Sequence, residues 1–220
     1  MNFDDVSNYI QNLYKQKEVL TQREYTSDMR VKDYIPTVDD ESAAFLRLII
    51  HLVRPKHILE IGTSVGFSTV SMALAAKPFG GKITTIEFDE TVAAQAQENF
   101  EKSGTADSIT LLHGDAAEIL QQLQGSYDII FQDVDKRLYS RLLPNCLRLL
   151  AYGGLLLSDD ALFPILDLDK RWENQIAPAR SYNELLMRTP ELESVLLPVG
   201  DGLMLSRKTE AAQFHTVFSA

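Results

Sequence analysis

The chain is poor in several residues that would narrow its class at once. It has one cysteine, Cys146, in 220 residues. No intrachain disulfide and no cysteine-based zinc site can be built from it. No apolar run approaches the ~20 residues that a membrane-crossing helix needs, so no membrane association is expected. The start, Met1-Asn2-Phe3-Asp4-Asp5, lacks a basic stretch followed by an apolar one, and a cytoplasmic protein is expected. Positive charge is scarce: 21 Lys and Arg stand against 31 Asp and Glu, a formal net charge of −10. Such a surface repels polyanions at long range, although a local basic group can override the total. There is no internal repeat and no low-complexity stretch. What is present, 45% hydrophobic and 24% charged residues, is the ordinary mixture of a globular domain with a core of useful size.

The length suits one domain. We divide it into an N-terminal helix and connector over 1–38, a core over 39–207 and a tail over 208–220. Val6, Tyr9, Ile10, Leu13 and Leu20 recur at helical spacing, so residues 3–20 are expected to form an amphipathic helix. Residues 21–38 are polar, end in Ile35-Pro36-Thr37-Val38 and read as an extended connector. Asp39 or Asp40 can cap a second helix with Phe45, Leu48, Ile49 and Leu52 on one face. Short apolar runs then appear at 57–61, 82–86, 109–112, 127–131 and 154–157. Helical segments lie between them, at about 66–77, 89–103, 115–124 and 138–150. That alternation predicts an α/β fold with a mostly parallel sheet. A helical stretch near 170–188 follows. Val195-Leu196-Leu197-Pro198-Val199 and Leu203-Met204-Leu205, joined by Gly200-Asp201-Gly202, then predict an antiparallel hairpin at the end.

In such sheets ligands bind at the carboxyl ends of the strands. The first strand runs into Gly62-Thr63-Ser64-Val65-Gly66-Phe67-Ser68. Two glycines permit a sharp turn and close backbone approach, and the next helix start offers free N–H groups. The dinucleotide pattern G-x-G-x-x-G is absent, which disfavours a nicotinamide-linked oxidoreductase. Glu60 precedes the loop; it would repel a pyrophosphate and suits a ligand carrying an ammonium or a sulfonium. A plain strand-to-helix turn is the alternative, since short glycine motifs recur widely. The second strand ends in Glu87, 21 positions after Gly66, where an acid can accept both ribose hydroxyls of a nucleoside. Asp89 is the better cap for the following helix, which leaves Glu87 free. Asp115, in Gly114-Asp115-Ala116, can accept from an adenine amino group or cap a helix.

Strand four leads into Gln132-Asp133-Val134-Asp135-Lys136, and strand five into Ser158-Asp159-Asp160. If these strands are neighbours, Asp133, Asp159 and Asp160 face one crevice. Three oxygen ligands favour Mg²⁺, with Mn²⁺ or Ca²⁺ also suitable. Clustered carboxylates raise each other's pKa unless a cation joins them. Lys136 beside such a cation can be driven neutral and serve as a general base. The alternative is that Asp and Lys merely populate exposed loops. Cys146 lies on a helical face with Leu143, Leu147 and Leu150, and is expected in the core. Trp172 either stacks on an acceptor or packs, and packing is the expectation. Arg23, Arg30 and Lys32 form a loose basic group around the connector, a solvated face by default.

Together these residues resemble the cation-dependent class I O-methyltransferases, the group that holds the catechol and caffeoyl-CoA O-methyltransferases. The matching stretches are Leu59-Glu60-Ile61-Gly62-Thr63-x-x-Gly66-x-Ser68, Thr84-Thr85-Ile86-Glu87-x-Asp89, Gly114-Asp115-Ala116, Asp133-x-Asp135-Lys136-x-x-Tyr139, Gly153-Gly154 and Leu197-Pro198-Val199-Gly200-Asp201-Gly202-Leu203. The resemblance implies a Rossmann-like, seven-stranded sheet with an antiparallel C-terminal hairpin, and a homodimer. It implies an S-adenosylmethionine site lined by Val38, Glu60, Gly62, Thr63, Gly66, Ser68, Glu87, Asp115, Ala116 and Asp133. It implies Asp133, Asp159 and Asp160 as metal ligands, with Lys136 and Asp133 at the reaction centre, and in-line transfer of a methyl group to a hydroxyl. The chain departs from the pattern in three places. Asp160 stands where the family usually has Asn. Ala43-Ala44 replaces a Gly-Gln pair, and Ala161-Leu162-Phe163-Pro164-Ile165 replaces the loop that shapes the acceptor pocket. A small catechol-like acceptor is the leading expectation. A tRNA 5-hydroxyuridine acceptor, or S-adenosylmethionine binding without catalysis, are the alternatives.

Overall fold

A computed structural model describes residues 9, 10, 12, 13, 20–32 and 34–209. Residues 9–10 and 12–13 are helical. Leu20, expected in the same helix, is outside any helix and exposed; the other positions expected over 3–20, Val6 included, lie outside the described residues, as does the tail beyond residue 209.

The connector is not wholly extended. A short helix, α1 (Gln22–Thr26), interrupts it. Thr21 caps it by accepting the Glu24 N–H, and the Glu24 carboxylate accepts the Thr21 N–H in return. This reciprocal box satisfies two donors that a helix start leaves orphaned. The Thr-x-x-Glu spacing was visible in the sequence.

Helix α2 (Asp40–Val53) is capped by Asp39, whose carboxylate accepts the Ser42 N–H. Its buried stripe is the expected one only in part: Phe45 and Ile49 pack against the core. Ala43, Leu46 and Ile50 face the core, whereas Leu48 and Leu52 are 55% and 71% exposed. Both stripes satisfy helical spacing. Small Ala43 and Ser42 permit close contact with α3 (Phe67–Ala76), and that contact rather than apolar count selects the face.

The sheet follows the alternation read from the sequence. Its strands are β1 (His57–Ile61), β2 (Lys82–Glu87), β3 (Ile109–His113), β4 (Tyr127–Gln132), β5 (Leu150–Ser158), β6 (Leu192–Leu197) and β7 (Leu203–Lys208). Their spatial order is β3-β2-β1-β4-β5-β7-β6. The first five pair in parallel; β7 runs antiparallel to both β5 and β6. The connecting helices are α4 (Glu90–Lys102), α5 (Ala116–Gln122), α6 (Lys136–Leu149) and α7 (Glu173–Arg188).

Side chains alternate across the pleat. Ile58, Ile129, Phe131 and Leu157 join α2 and α3 in one core cluster. Leu59, Ile61, Ile130 and Leu156 join α5, α6 and α7 in the other. The central strands are therefore apolar on both faces, as a parallel sheet between helix layers requires. Cys146 is fully buried in the second cluster, as expected, and burial pushes its thiol up to about 12. No helix among the described residues is long and apolar enough to cross a membrane.

The strand order reverses beside β1, which has β2 on one side and β4 on the other. That switch point opens a crevice at the carboxyl edge. Phe131, next to last on β4 and fully buried, tests the packing beneath it. Phe131→Ala is expected to cost about 3–5 kcal/mol, read as a lower urea midpoint with an unchanged denaturant slope.

Candidate active site

Three strand ends are locked side by side. The Asp133 N–H donates to the Ile61 carbonyl at 2.8 Å, and the Asp159 N–H to the Gln132 carbonyl at 3.1 Å. The ladder thus continues one step past β1, β4 and β5, and the three following loops share one edge. At Gly62, with φ +96°, a Cβ would overlap the Asp133 carbonyl. At Gly66, with φ +91°, it would meet the Phe100 ring. Both glycines serve close approach as well as the turn.

Glu60 is 0% exposed. The Ser68 hydroxyl donates to its Oε1 at 2.6 Å, the Thr85 hydroxyl to its Oε2 at 2.6 Å, and Thr69 donates to Oε2 as well. Thr63 in turn lies 2.6 Å from Thr85, hydroxyl to hydroxyl. Glu60 therefore reaches the loop through these hydroxyls. Burial pushes its carboxyl up to about 7 against the pull of Ser68, Thr69 and Thr85.

Asp89 caps α4 by accepting from the Thr91 and Val92 N–H groups. Glu87, expected to be free, is engaged: it accepts the Ser64 N–H at 2.8 Å and the Asp89 N–H at 3.0 Å. Each carboxylate oxygen keeps a further lone pair. Asp115 accepts the Ala117 N–H at 2.7 Å, as a helix cap does, with Ala116 buried in the first turn of α5. Val38 is buried and lines the crevice from the connector side. The Ser64 hydroxyl donates to the Ile35 carbonyl at 2.6 Å and so ties connector to loop.

A cleft of about 280 Å³ opens beside this loop, and Asp133, Lys136, Asp159 and Asp160 all line it. Lys136 is 4% exposed. Its ammonium lies 3.0 Å from Asp133 Oδ1 and 2.6 Å from Asp160 Oδ2. Burial opposes the charge, but Tyr139, Asp133 and Asp160 outweigh it and hold the amine well above its ordinary pKa. Lys136 is thus an ammonium in this arrangement; the neutral amine is expected only next to a bound cation. Among the described residues no three carboxylate, imidazole or thiol groups converge as a ready metal-ligand set. The ammonium is the countercharge that separates Asp133 from Asp160.

The donor set nevertheless fits a hard divalent cation. Asp159 is 5% exposed, and its Oδ1 has no hydrogen-bond partner. Burial, then Asp160 and Asp133, drive its carboxyl well above the usual range. Burial likewise raises Asp160 to about 6, with Lys136 pulling the other way. Asp160 sits at φ +59°, a left-handed geometry that Asn and Asp tolerate better than most residues.

Several supporting residues were not picked out as site residues in the sequence. Gln175 of α7 accepts the Lys136 N–H at 3.0 Å. The Tyr139 hydroxyl donates to the Gln132 carbonyl at 2.9 Å and lies 3.3 Å from that of Asp159. Tyr182 packs edge-on against Tyr139, 4.9 Å between centroids, and its hydroxyl meets Ser158 at 3.1 Å. Asp39, Phe163, Trp172 and Asp201 also line the cleft. Trp172 therefore faces the cleft rather than only packing. The Gly200–Gly202 turn braces the loop after Asp160: Ala161 and Leu162 donate to the Gly202 and Asp201 carbonyls at 2.8 and 2.9 Å. The signals linking these pairs are spatial, so one chain read alone does not show them.

Glu60 supplies a pH test. Its folded pKa, about 7, lies above the unfolded value of 4.5. Between the two, the native state binds more protons than the unfolded chain, so this group's contribution to stability falls as pH rises. The penalty is absent below pH 4.5 and complete above pH 7, and is at most ~3 kcal/mol. Glu60→Gln mimics the protonated acid. Relative to the variant, the parent should lose urea resistance from pH 5 to pH 8; parallel curves would contradict a raised pKa.

Comparison with known proteins identifies the family. A family model described as O-methyltransferase matches residues 4–209. A catechol O-methyltransferase of Niastella koreensis is 31% identical over 202 residues, covering 89% of this chain and 90% of its own. A caffeoyl-CoA O-methyltransferase of Eucalyptus gunnii is 32% identical, covering 80% and 75%. In fold, the chain resembles an SAH-bound methyltransferase of Podospora anserina, with a TM-score of 0.84, 23% identity and coverage of 96% and 97%. The chain belongs to the O-methyltransferase family of S-adenosylmethionine-dependent transferases.

Proposed function

We propose that this chain is a divalent-cation-dependent O-methyltransferase acting on one hydroxyl of a small, catechol-like vicinal diol. The observation that carries the reading is the seating of Lys136 between Asp133 and Asp160, with the unpartnered Asp159 oxygen nearby, in a cleft beside the glycine loop. Relatives named catechol O-methyltransferase and caffeoyl-CoA O-methyltransferase support the acceptor class.

Asp133, Asp159 and Asp160 would hold the cation, with Mg²⁺ the first choice and Mn²⁺ or Ca²⁺ alternatives for an all-oxygen set. When bound, such an ion supplies Lewis acidity that lowers the pKa of a hydroxyl. Lys136 accepts the acceptor's proton at Nζ. It can do so only when Asp133 and Asp160 no longer neutralise its charge, because burial alone then acts on it and favours the neutral amine. Gln175 and Tyr139 keep the start of α6 and the ends of β4 and β5 in place during that exchange. The deprotonated oxygen attacks the sulfonium methyl, the carbon–sulfur bond breaks, and S-adenosylhomocysteine leaves. Holding oxygen and methyl in line supplies much of the rate.

The tRNA alternative leans on Arg23, Arg30 and Lys32. All three are exposed, and Arg30 is already 3.6 Å from Glu98. A homodimer accords with the exposed Leu48 and Leu52 on α2, and light scattering at twice the chain mass would support it.

EDTA should abolish methylation of a vicinal diol, and Mg²⁺ should restore it. Full activity in EDTA would remove the cation from the reading. Lys136→Met should lower kcat by about 10²–10⁴-fold while S-adenosylmethionine still binds. A kcat within threefold of the parent would dismiss Lys136 as the base.

A further inference from the structure

We propose that Ser64 is a positioning residue that couples the two sides of the cleft: through its hydroxyl, a nucleoside seated on Glu87 fastens the connector wall, Ile35 and Pro36, against the acceptor. This coupling rests on the small-diol reading above and concerns the same site.

Ser64 bridges the end of β2 and the connector. Its N–H donates to Glu87 Oε2 at 2.8 Å, and its hydroxyl donates to the Ile35 carbonyl at 2.6 Å. Glu87 Oε1 accepts the Asp89 N–H at 3.0 Å. Each of these oxygens keeps a lone pair, so a ribose diol can add to the carboxylate without displacing Ser64. Ser64 has φ +48°, a left-handed backbone that glycine adopts freely and serine does not. Glycine at this position would keep the bond to Glu87 and relieve the backbone. Only the bond to Ile35 needs the hydroxyl. A strained residue whose side chain makes one such contact points to a use for that contact.

The stretch 31–36 has little else to hold it. Upstream, Met29 packs with Val65 and Val92, and the Arg30 N–H donates to Gln95 Oε1 at 3.2 Å. Downstream, Gln22 Nε2 donates to the Thr37 carbonyl at 2.8 Å, and Thr37 and Val38 are buried. Between these anchors Val31 and Tyr34 pack in part against the Met29 cluster. Among the described residues, the bond from Ser64 is the one hydrogen bond that ties 31–36 to the rest of the chain. Ile35 is 62% exposed, yet it and Pro36 line the cleft together with Asp133, Lys136 and Asp160. A wall held this lightly opens at small cost. A ligand on Glu87 fixes the carboxylate, the carboxylate fixes the Ser64 N–H, and the hydroxyl is then aimed at Ile35. The wall is in place when the diol arrives. By linkage, a bound diol strengthens binding at Glu87 by the same factor.

The test is a binding measurement in Mg²⁺. Calorimetry gives the Kd of S-adenosylhomocysteine, and a titration followed by visible absorbance gives the Kd of 4-nitrocatechol, with and without saturating S-adenosylhomocysteine. In the parent, S-adenosylhomocysteine should tighten the diol about tenfold. Ser64→Gly and Ser64→Ala should each cut that gain to about twofold, the loss being the scale of one hydrogen bond. The Kd of S-adenosylhomocysteine alone should stay within about threefold, because the N–H to Glu87 remains. Ser64→Gly also removes the backbone strain, so a folded variant is in hand. A merely structural role would weaken both ligands alike and leave the gain unmoved, which overturns the proposal. So does a parent that binds the diol equally with and without S-adenosylhomocysteine; the diol reading then survives. A parent that binds no diol overturns both.

Discussion

The Asp133 carbonyl lies against the bare Cα of Gly62, and the rest of the site follows from that approach. It is possible because β4 lies beside β1 and Gly62 has no side chain. The Asp133 N–H to Ile61 bond and the Asp159 N–H to Gln132 bond then fix three loops along one edge. The glycine loop and a cluster of acids are thereby set next to each other. Transfer between two bound molecules needs that adjacency more than it needs any single strong contact.

Electrostatics governs the two sides of the edge differently. On the cofactor side, Glu60 is fully buried and sustained by the hydroxyls of Ser68, Thr69 and Thr85. Neutral donors offset part of its desolvation but supply no countercharge, so its pKa rises. On the acceptor side, Asp133 and Asp160 are offset by Lys136, an ion that needs them in return. Removing one partner from such a buried group leaves a charge that costs several kcal/mol. The cluster is therefore stable as a whole and intolerant of partial change.

Much of this was legible in the sequence because it depends on local order. Short apolar runs marked β1 to β5, and Gly200-Asp201-Gly202 marked the closing turn. Asp89 announced itself as a cap. Where two patterns were locally equivalent, the reading failed. Both stripes of α2 have helical spacing, and contact with α3 chose Leu46 and Ile50 over Leu48 and Leu52. Glu87 looked free because its bond to the Ser64 N–H spans 23 residues and leaves no local trace. The α1 cap, Thr21 with Glu24, was local and readable but lay in a stretch too polar to suggest a helix. Gln175 and Tyr182 are placed at the site by tertiary packing alone.

The cleft shows why a family is easier to read than a substrate. Its Asp133, Asp159 and Asp160 come from strand ends, whose positions the sheet dictates. The walls come from the connector, through Ile35 and Pro36, and from the segment after β5, through Phe163 and Trp172. That segment has no ladder of its own. It is held by the β6–β7 turn, where a Cβ on Gly202 would strike Leu162 and the Ala161 and Leu162 N–H groups find their acceptors. The same turn carries Asp201 to the rim of the cleft. One hairpin thus braces the wall and sets one acid at its mouth. A sequence can vary such a turn residue without disturbing the sheet below, so the wall of the cleft is free to change while the strand ends beneath it stay fixed.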